Sequence, residues 1–190
     1  MKMKQSELLK QLTDQEVKKS LLLSQTFILL IAFGLSFILF QYFSDWLTLF
    51  YWDVNEIFIY GVIPGFIIVL VDIFLMLFLP KKWLDDGGIN ERIFKVLSLG
   101  EIFLYTWFIA IAEELLFRGV LQTVFGFFSA SVIFILVHFR YLNKPVLLIS
   151  VIVTSFLLGF LYEATGNLYT VIVTHFIVDF LLGMIIHFKR

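Results

Sequence analysis

Two stretches of the chain, residues 21–43 and 57–79, are apolar almost throughout. Each is long enough to cross a hydrocarbon core about 30 Å thick, which takes about 20 apolar residues in a helix. No other feature constrains the chain so strongly, because a segment in lipid must satisfy its own backbone polar groups. Four further runs follow with polar interruptions, at about 99–118, 121–139, 146–163 and 168–187. None alternates with the period of two that marks a barrel strand, and all are too long for one. The composition agrees: 61% of the 190 residues are apolar and 15% charged, against roughly 45–50% and about 25% in a soluble domain. The fold class read from these runs is an all-α polytopic membrane bundle of about six transmembrane helices, a single domain over 1–190.

Basic residues orient the spans. Lys2, Lys4, Lys10, Lys18 and Lys19 precede the first; Lys81, Lys82, Arg92 and Lys95 lie between the second and third. Arg140 and Lys144 lie between the fourth and fifth, and Lys189 and Arg190 follow the sixth. The alternate loops hold Asp45, Asp53, Glu56 and Glu163 but neither Lys nor Arg. The positive-inside rule then places both termini in the cytoplasm, as expected of a multi-pass protein of the cell membrane. Residues 1–20 form a cytoplasmic N-terminal segment rather than a secretory signal, since no small-residue cleavage pattern follows the first run. Leu8, Leu9, Leu12 and Val17 are spaced for a short interfacial helix, with a solvated tail the equal alternative. The stretch 80–98 reads as a turn at Asp85-Asp86-Gly87-Gly88 and an interfacial helix, or as a plain loop. A net charge of −1 offers no field for nucleic acid, and with no cysteine there is no disulfide, thiolate nucleophile or Cys-ligated metal.

Ionisable groups inside a bilayer cost several kcal/mol and need partners or a purpose. Here they are Asp72, Glu101, Glu113, Glu114, Arg118, His138, His175 and Asp179. Glu114 and Arg118 stand i,i+4 in the favourable order, acid first, and form an ion pair. Glu113 falls about 100° round the helix without a local partner and is a candidate proton acceptor. His175 and Asp179 share one face of the sixth span, so the carboxylate orients the imidazole. Phe134 precedes His138 by one turn and is placed to pack beside it. Asp72 is expected to hydrogen-bond a neighbouring helix, Glu101 to reach toward the cytoplasmic edge, and His187 to be interfacial.

Three motifs in order, Glu113-Glu114-Leu-Leu-Phe-Arg118, Phe134-Ile-Leu-Val-His138 and His175-Phe-Ile-Val-Asp179, resemble the signature of the CAAX-protease and bacteriocin-processing (CPBP, or Abi) family. That family of intramembrane proteases includes the type II CAAX prenyl endopeptidases. The continuation Arg118-Gly119-Val120-Leu121-Gln122 and the lead-in Thr165-Gly166-Asn167-Leu168 are similar too. The resemblance makes 95–187 a catalytic core and leaves 21–79 as two spans without signature. It implies an intramembrane endopeptidase acting on a membrane-embedded or lipidated peptide. Glu113 would activate water, His138 assist, and His175 with Asp179 stabilise the oxyanion or orient its donors. Glu114 and Arg118 would support the helix. Many members carry Asn where Asp179 stands; an ionised Asp cannot donate to an oxyanion, so Asp179 is read as an orienter of His175.

No cofactor is favoured. A divalent metal such as zinc held by Glu113, His138 and His175 is the alternative, although no His-Glu-x-x-His helix is present. The competing function is a non-proteolytic membrane protein of the same fold, acting in bacteriocin self-immunity or as a regulatory scaffold. One geometric question stays open. Glu113 and His175 come out about 20 Å from the cytoplasmic side at 1.5 Å per residue, whereas His138 comes out close to it. They meet only if the fourth span is broken or runs past Arg140, or if the third starts deeper.

Overall fold

The computed structural model describes Leu8 and residues 11–189, and every regular element among them is helical. In chain order these are α1 Asp14–Leu39, α2 Asp45–Thr48, α3 Val54–Phe78, α4 Lys81–Leu84, α5 Ile89–Val96, α6 over 99–125, α7 Phe127–Val137, α8 Pro145–Thr165 and α9 Leu168–Phe188. Helices α1, α3, α8 and α9 are each long and apolar enough to cross a membrane. Their outward faces are apolar: Phe37 is 91% exposed and Ile38 76%. Side chains of this kind lose about 1.5–3 kcal/mol each when left in water, so the exterior suits lipid.

Each helix starts and stops for a local reason. A capping box opens α1, Thr13 accepting from the Glu16 amide while Glu16 takes the Thr13 amide at 2.8 Å. Val17, expected on a separate interfacial helix, is instead in the first turn of α1. Leu9 lies outside the described residues, as do Lys2, Lys4, Lys10 and Arg190. Pro64 lies inside the continuous helix α3, where its ring removes a donor and crowds the carbonyl one turn back. The chain absorbs this by widening to a π-helical stretch at Phe58–Val62. The turn at 85–88 is held by the Asp85 carboxylate accepting from the Gly87 and Gly88 amides, and α5 follows as an amphipathic helix.

The third and fourth apolar runs fold differently from two equal spans. Ser98 and Glu101 form a capping box at the start of α6, and Glu101 also pairs with Lys18 at 2.6 Å, so it is a cap and an anchor. Helix α6 continues through a π-helical stretch, Leu115–Gln122, and stops at Gly126, whose φ is +82°. The expected fourth span, 121–139, is therefore split: its first residues finish α6, and α7 is a helix of 11 residues. At 1.5 Å per residue α7 covers about 16 Å, half of a hydrocarbon core.

Small residues let the long helices approach. A Cβ on Gly65 would sit 3.0 Å from the Ile177 side chain, and one on Gly61 3.1 Å from the Thr170 carbonyl. The Thr174 hydroxyl uses that closeness to donate to the Gly61 carbonyl at 2.9 Å, tying α9 to α3. One end of the bundle gathers Arg92 on Asp14 at 2.7 Å, Arg140 on Asn90 at 3.0 Å, and His187 donating from Nδ1 to the Phe94 carbonyl at 3.0 Å. Helix α5 straps this end. The start of α1, the start of α6 and the end of α9 all meet there, with the basic residues. At the other end fully buried Asn167 bonds the Tyr51 carbonyl at 2.6 Å and Glu56 at 2.8 Å, locking the α2–α3 loop onto the start of α9.

Candidate active site

The adjacent carboxylates of α6 are in unlike surroundings. Glu114 is fully buried and its Oε1 accepts twice, from Arg118 Nη1 at 3.3 Å and from His175 Nδ1 at 2.7 Å. Arg118, 1% exposed, also donates from Nη2 to the Ser155 carbonyl at 3.0 Å, and its guanidinium lies 4.6 Å from the Phe134 ring centre. One ion pair thus joins α6, α7, α8 and α9. The expected i,i+4 pair exists, but Glu114 does more than steady its own helix, since it also orients His175.

Glu113 is buried, 9% exposed, and pairs with no cation among the described residues. Its one hydrogen bond comes from α1, Gln25 Nε2 donating to Oε1 at 3.4 Å. The sequence reading missed Gln25 because it followed ionisable groups only. Its signal was a long amide side chain in the middle of an apolar run. His138 at the end of α7, His175 and Asp179 on α9, and the adjacent Glu114 are all close enough to act on Glu113 electrostatically.

His138 reaches this group because the fourth span is broken. Helix α7 ends at Val137, and His138 is the residue that caps it before a 3-10 turn, Phe139–Tyr141. Its Nδ1 donates to the Phe134 carbonyl at 2.8 Å, which leaves Nε2 of the neutral ring as the acceptor. The imidazole packs on Phe134 at 4.5 Å between ring centres and stacks with Tyr141 at 6.1 Å. Phe134 therefore lies between His138 and Arg118.

His175 Nε2 stands 3.5 Å from Asp179 Oδ2, so the ring lies between two carboxylates. The Asp179 contact is at the long edge of hydrogen bonding, and its side chain is 31% exposed, so Nε2 is the looser end of the ring. Asp72 is half-buried on α3 but forms no hydrogen bond or ion pair among the described residues, contrary to the expected interhelical bond.

The donors do not form a metal set as they stand. Among the described residues no three His, Asp or Glu side chains group as ligands. His138 Nδ1 is taken by a carbonyl and His175 Nδ1 by Glu114. A zinc on Glu113, His138 and His175 would use the two Nε2 atoms, and as the side chains stand these donors do not group as ligands among the described residues.

Comparison with known proteins bears on the same region. Residues 95–181 match the model of the type II CAAX prenyl endopeptidase Rce1-like family. An uncharacterised protein, YpbD of Bacillus subtilis (strain 168), is 47% identical over 141 residues, covering 73% of this chain and 75% of its own length. No solved structure matches. The matched stretch takes in both Glu113 and His175, whose contacts organise the buried cluster, and the chain belongs to the type II CAAX prenyl endopeptidase Rce1-like family.

Proposed function

We propose that the protein is an intramembrane endopeptidase that hydrolyses a peptide bond in a membrane-embedded or lipidated peptide, with Glu113 as the general base. The observation that carries the reading is the division between the two carboxylates. Glu114 is spent on Arg118 and His175, whereas Glu113, beside it, is buried with no countercharge bonded to it. A carboxylate so placed can take a proton from water.

In this reading Glu113 removes a proton as the water oxygen bonds to the peptide carbon, and the carbonyl electron pair moves to oxygen. As an imidazolium between Glu114 and Asp179, His175 carries a proton on Nε2 as well as Nδ1 and offers the Nε2 proton to the oxyanion, and His138 Nε2 assists proton movement. The proton on Glu113 then passes to the departing nitrogen as the C–N bond breaks. No step is routed through a metal. The basic end of the bundle faces the cytoplasm, both termini with it, and the chain crosses the cell membrane six times, α7 as a half-length crossing. Helix α5 then straps the cytoplasmic mouth.

The test is cleavage of a panel of membrane-anchored peptides by purified protein in water enriched in oxygen-18. Each cut should place one labelled oxygen in the new C-terminal carboxyl, and Glu113→Gln should make no cuts. Equal cleavage by Glu113→Gln refutes Glu113 as the general base, and a wild type that cuts nothing in the panel refutes the protease reading and leaves the non-proteolytic scaffold.

A further inference from the structure

The one hydrogen bond to Glu113 among the described residues comes from outside the stretch that the family match covers. Gln25 lies on the inward stripe of α1, with Val17, Ala32 and Ser36, and is 7% exposed. A buried amide is destabilising unless both of its ends are bonded, and an alanine such as Ala32 would fill the stripe without that cost. Gln25 Nε2 is used, donating to Glu113 Oε1 at 3.4 Å. Its Oε1 is buried with no hydrogen-bond partner among the described residues. Helix α1 packs against both Leu99–Glu114 and Leu115–Gln122, so Gln25 meets Glu113 where α6 widens from α to π.

We infer that Gln25 is a positioning residue for hydrolysis, its Nε2 holding one oxygen of Glu113 and its Oε1 serving as second acceptor for the attacking water. The inference rests on the protease reading above. A water that donates one hydrogen to Glu113 and the other to Gln25 Oε1 turns a lone pair away from both, toward a substrate carbonyl. As the new C–O bond forms, the first hydrogen goes to Glu113 as a proton and later to the leaving nitrogen; the second stays on oxygen. Gln25 gains and loses no proton. It sets the plane of the base and the direction of the nucleophile, so it should act on turnover and leave substrate binding alone.

The experiment uses full-length purified protein in detergent: wild type, Glu113→Gln, Gln25→Met, Gln25→Asn and the Gln25→Met/Glu113→Gln double variant, on one cleaved peptide from the panel. Losing one hydrogen bond to a charged group corresponds to about 10- to 100-fold. Gln25→Met should lose that much in kcat with KM within about twofold of wild type, Gln25→Asn should lose less, and the double variant should match Glu113→Gln. Infrared spectroscopy gives a readout without turnover. The Glu113 carboxyl band, assigned by its loss in Glu113→Gln, should move in Gln25→Met. If Gln25→Met does not fold, Gln25→Leu likewise removes both ends of the amide and should lose as much. Wild-type kcat in Gln25→Met, beside an inactive Glu113→Gln, overturns this inference alone, whatever the band does. A wild type that cuts nothing overturns the protease reading and this inference with it; a Glu113→Gln that still cuts overturns Glu113 as the base, and with it the role of Gln25.

Discussion

Replacing Arg118 by Met isolates the contribution of the buried ion pair. The guanidinium is 1% exposed and bonds Glu114, the Ser155 carbonyl and the face of Phe134 at once. Methionine keeps the packing volume and removes all three contacts. Breaking a buried pair by deleting one partner costs about 3–5 kcal/mol, because the other charge stays desolvated. His175 still donates to Glu114 at 2.7 Å, so the loss should fall at the lower end, about 3 kcal/mol. Arg118→Lys keeps the charge on one point and cannot serve Glu114, Ser155 and Phe134 together; it should lose about 1–2 kcal/mol. The double variant Glu114→Gln/Arg118→Met removes the stranded charge and should recover at least about 1 kcal/mol relative to Arg118→Met. Reversible unfolding in mixed detergent micelles, followed by circular dichroism, measures all three. Arg118→Met within about 1 kcal/mol of wild type, or a double variant less stable than the single, refutes the reasoning.

Gly65→Leu should separate α3 from α9, since even a Cβ there comes within 3.0 Å of Ile177; unfolding should show a loss of about 1–3 kcal/mol. Asn167→Ala removes bonds to Tyr51 and Glu56 from a fully buried site and should cost about 2–3 kcal/mol by the same method. Asp72→Asn lies outside the cluster around Glu113, and its cleavage rate should stay within about twofold of wild type, as a peptide assay would show. Incubation with a chelator should leave wild-type cleavage unchanged, because the donors do not group as a ligand set; loss restored by added zinc would contradict that placement.

Much of the fold was legible in the apolar runs, because length and hydropathy alone decide whether a helix reaches across a bilayer. The 121–139 run misled because both its parts are apolar enough to read as one span, and the break falls at Gly126, whose φ is positive. That single break also answers how His138 comes within electrostatic reach of Glu113. Contacts within one helix were legible from spacing: Glu114 with Arg118, Phe134 with His138, His175 with Asp179. Contacts between helices were not. That His175 turns Nδ1 to Glu114, or that Gln25 reaches Glu113, depends on the relative rotation and depth of α1, α6 and α9, which periodicity within each helix does not contain. Gln25 was hidden for a second reason: an uncharged amide leaves no mark on a charge inventory.

The most direct measurement compares Glu113→Gln with Glu114→Gln, reading peptide cleavage and unfolding free energy on the same preparations. The account predicts that Glu113→Gln loses cleavage, at least about 1,000-fold by analogy with other residues acting directly in catalysis, while its stability stays within about 1 kcal/mol of wild type. Glu114→Gln should instead lose about 3 kcal/mol of stability, because it leaves Arg118 buried without its countercharge. If Glu113→Gln cleaves like wild type, or if the stability loss falls on Glu113→Gln and not on Glu114→Gln, the division of labour between the two carboxylates is wrong.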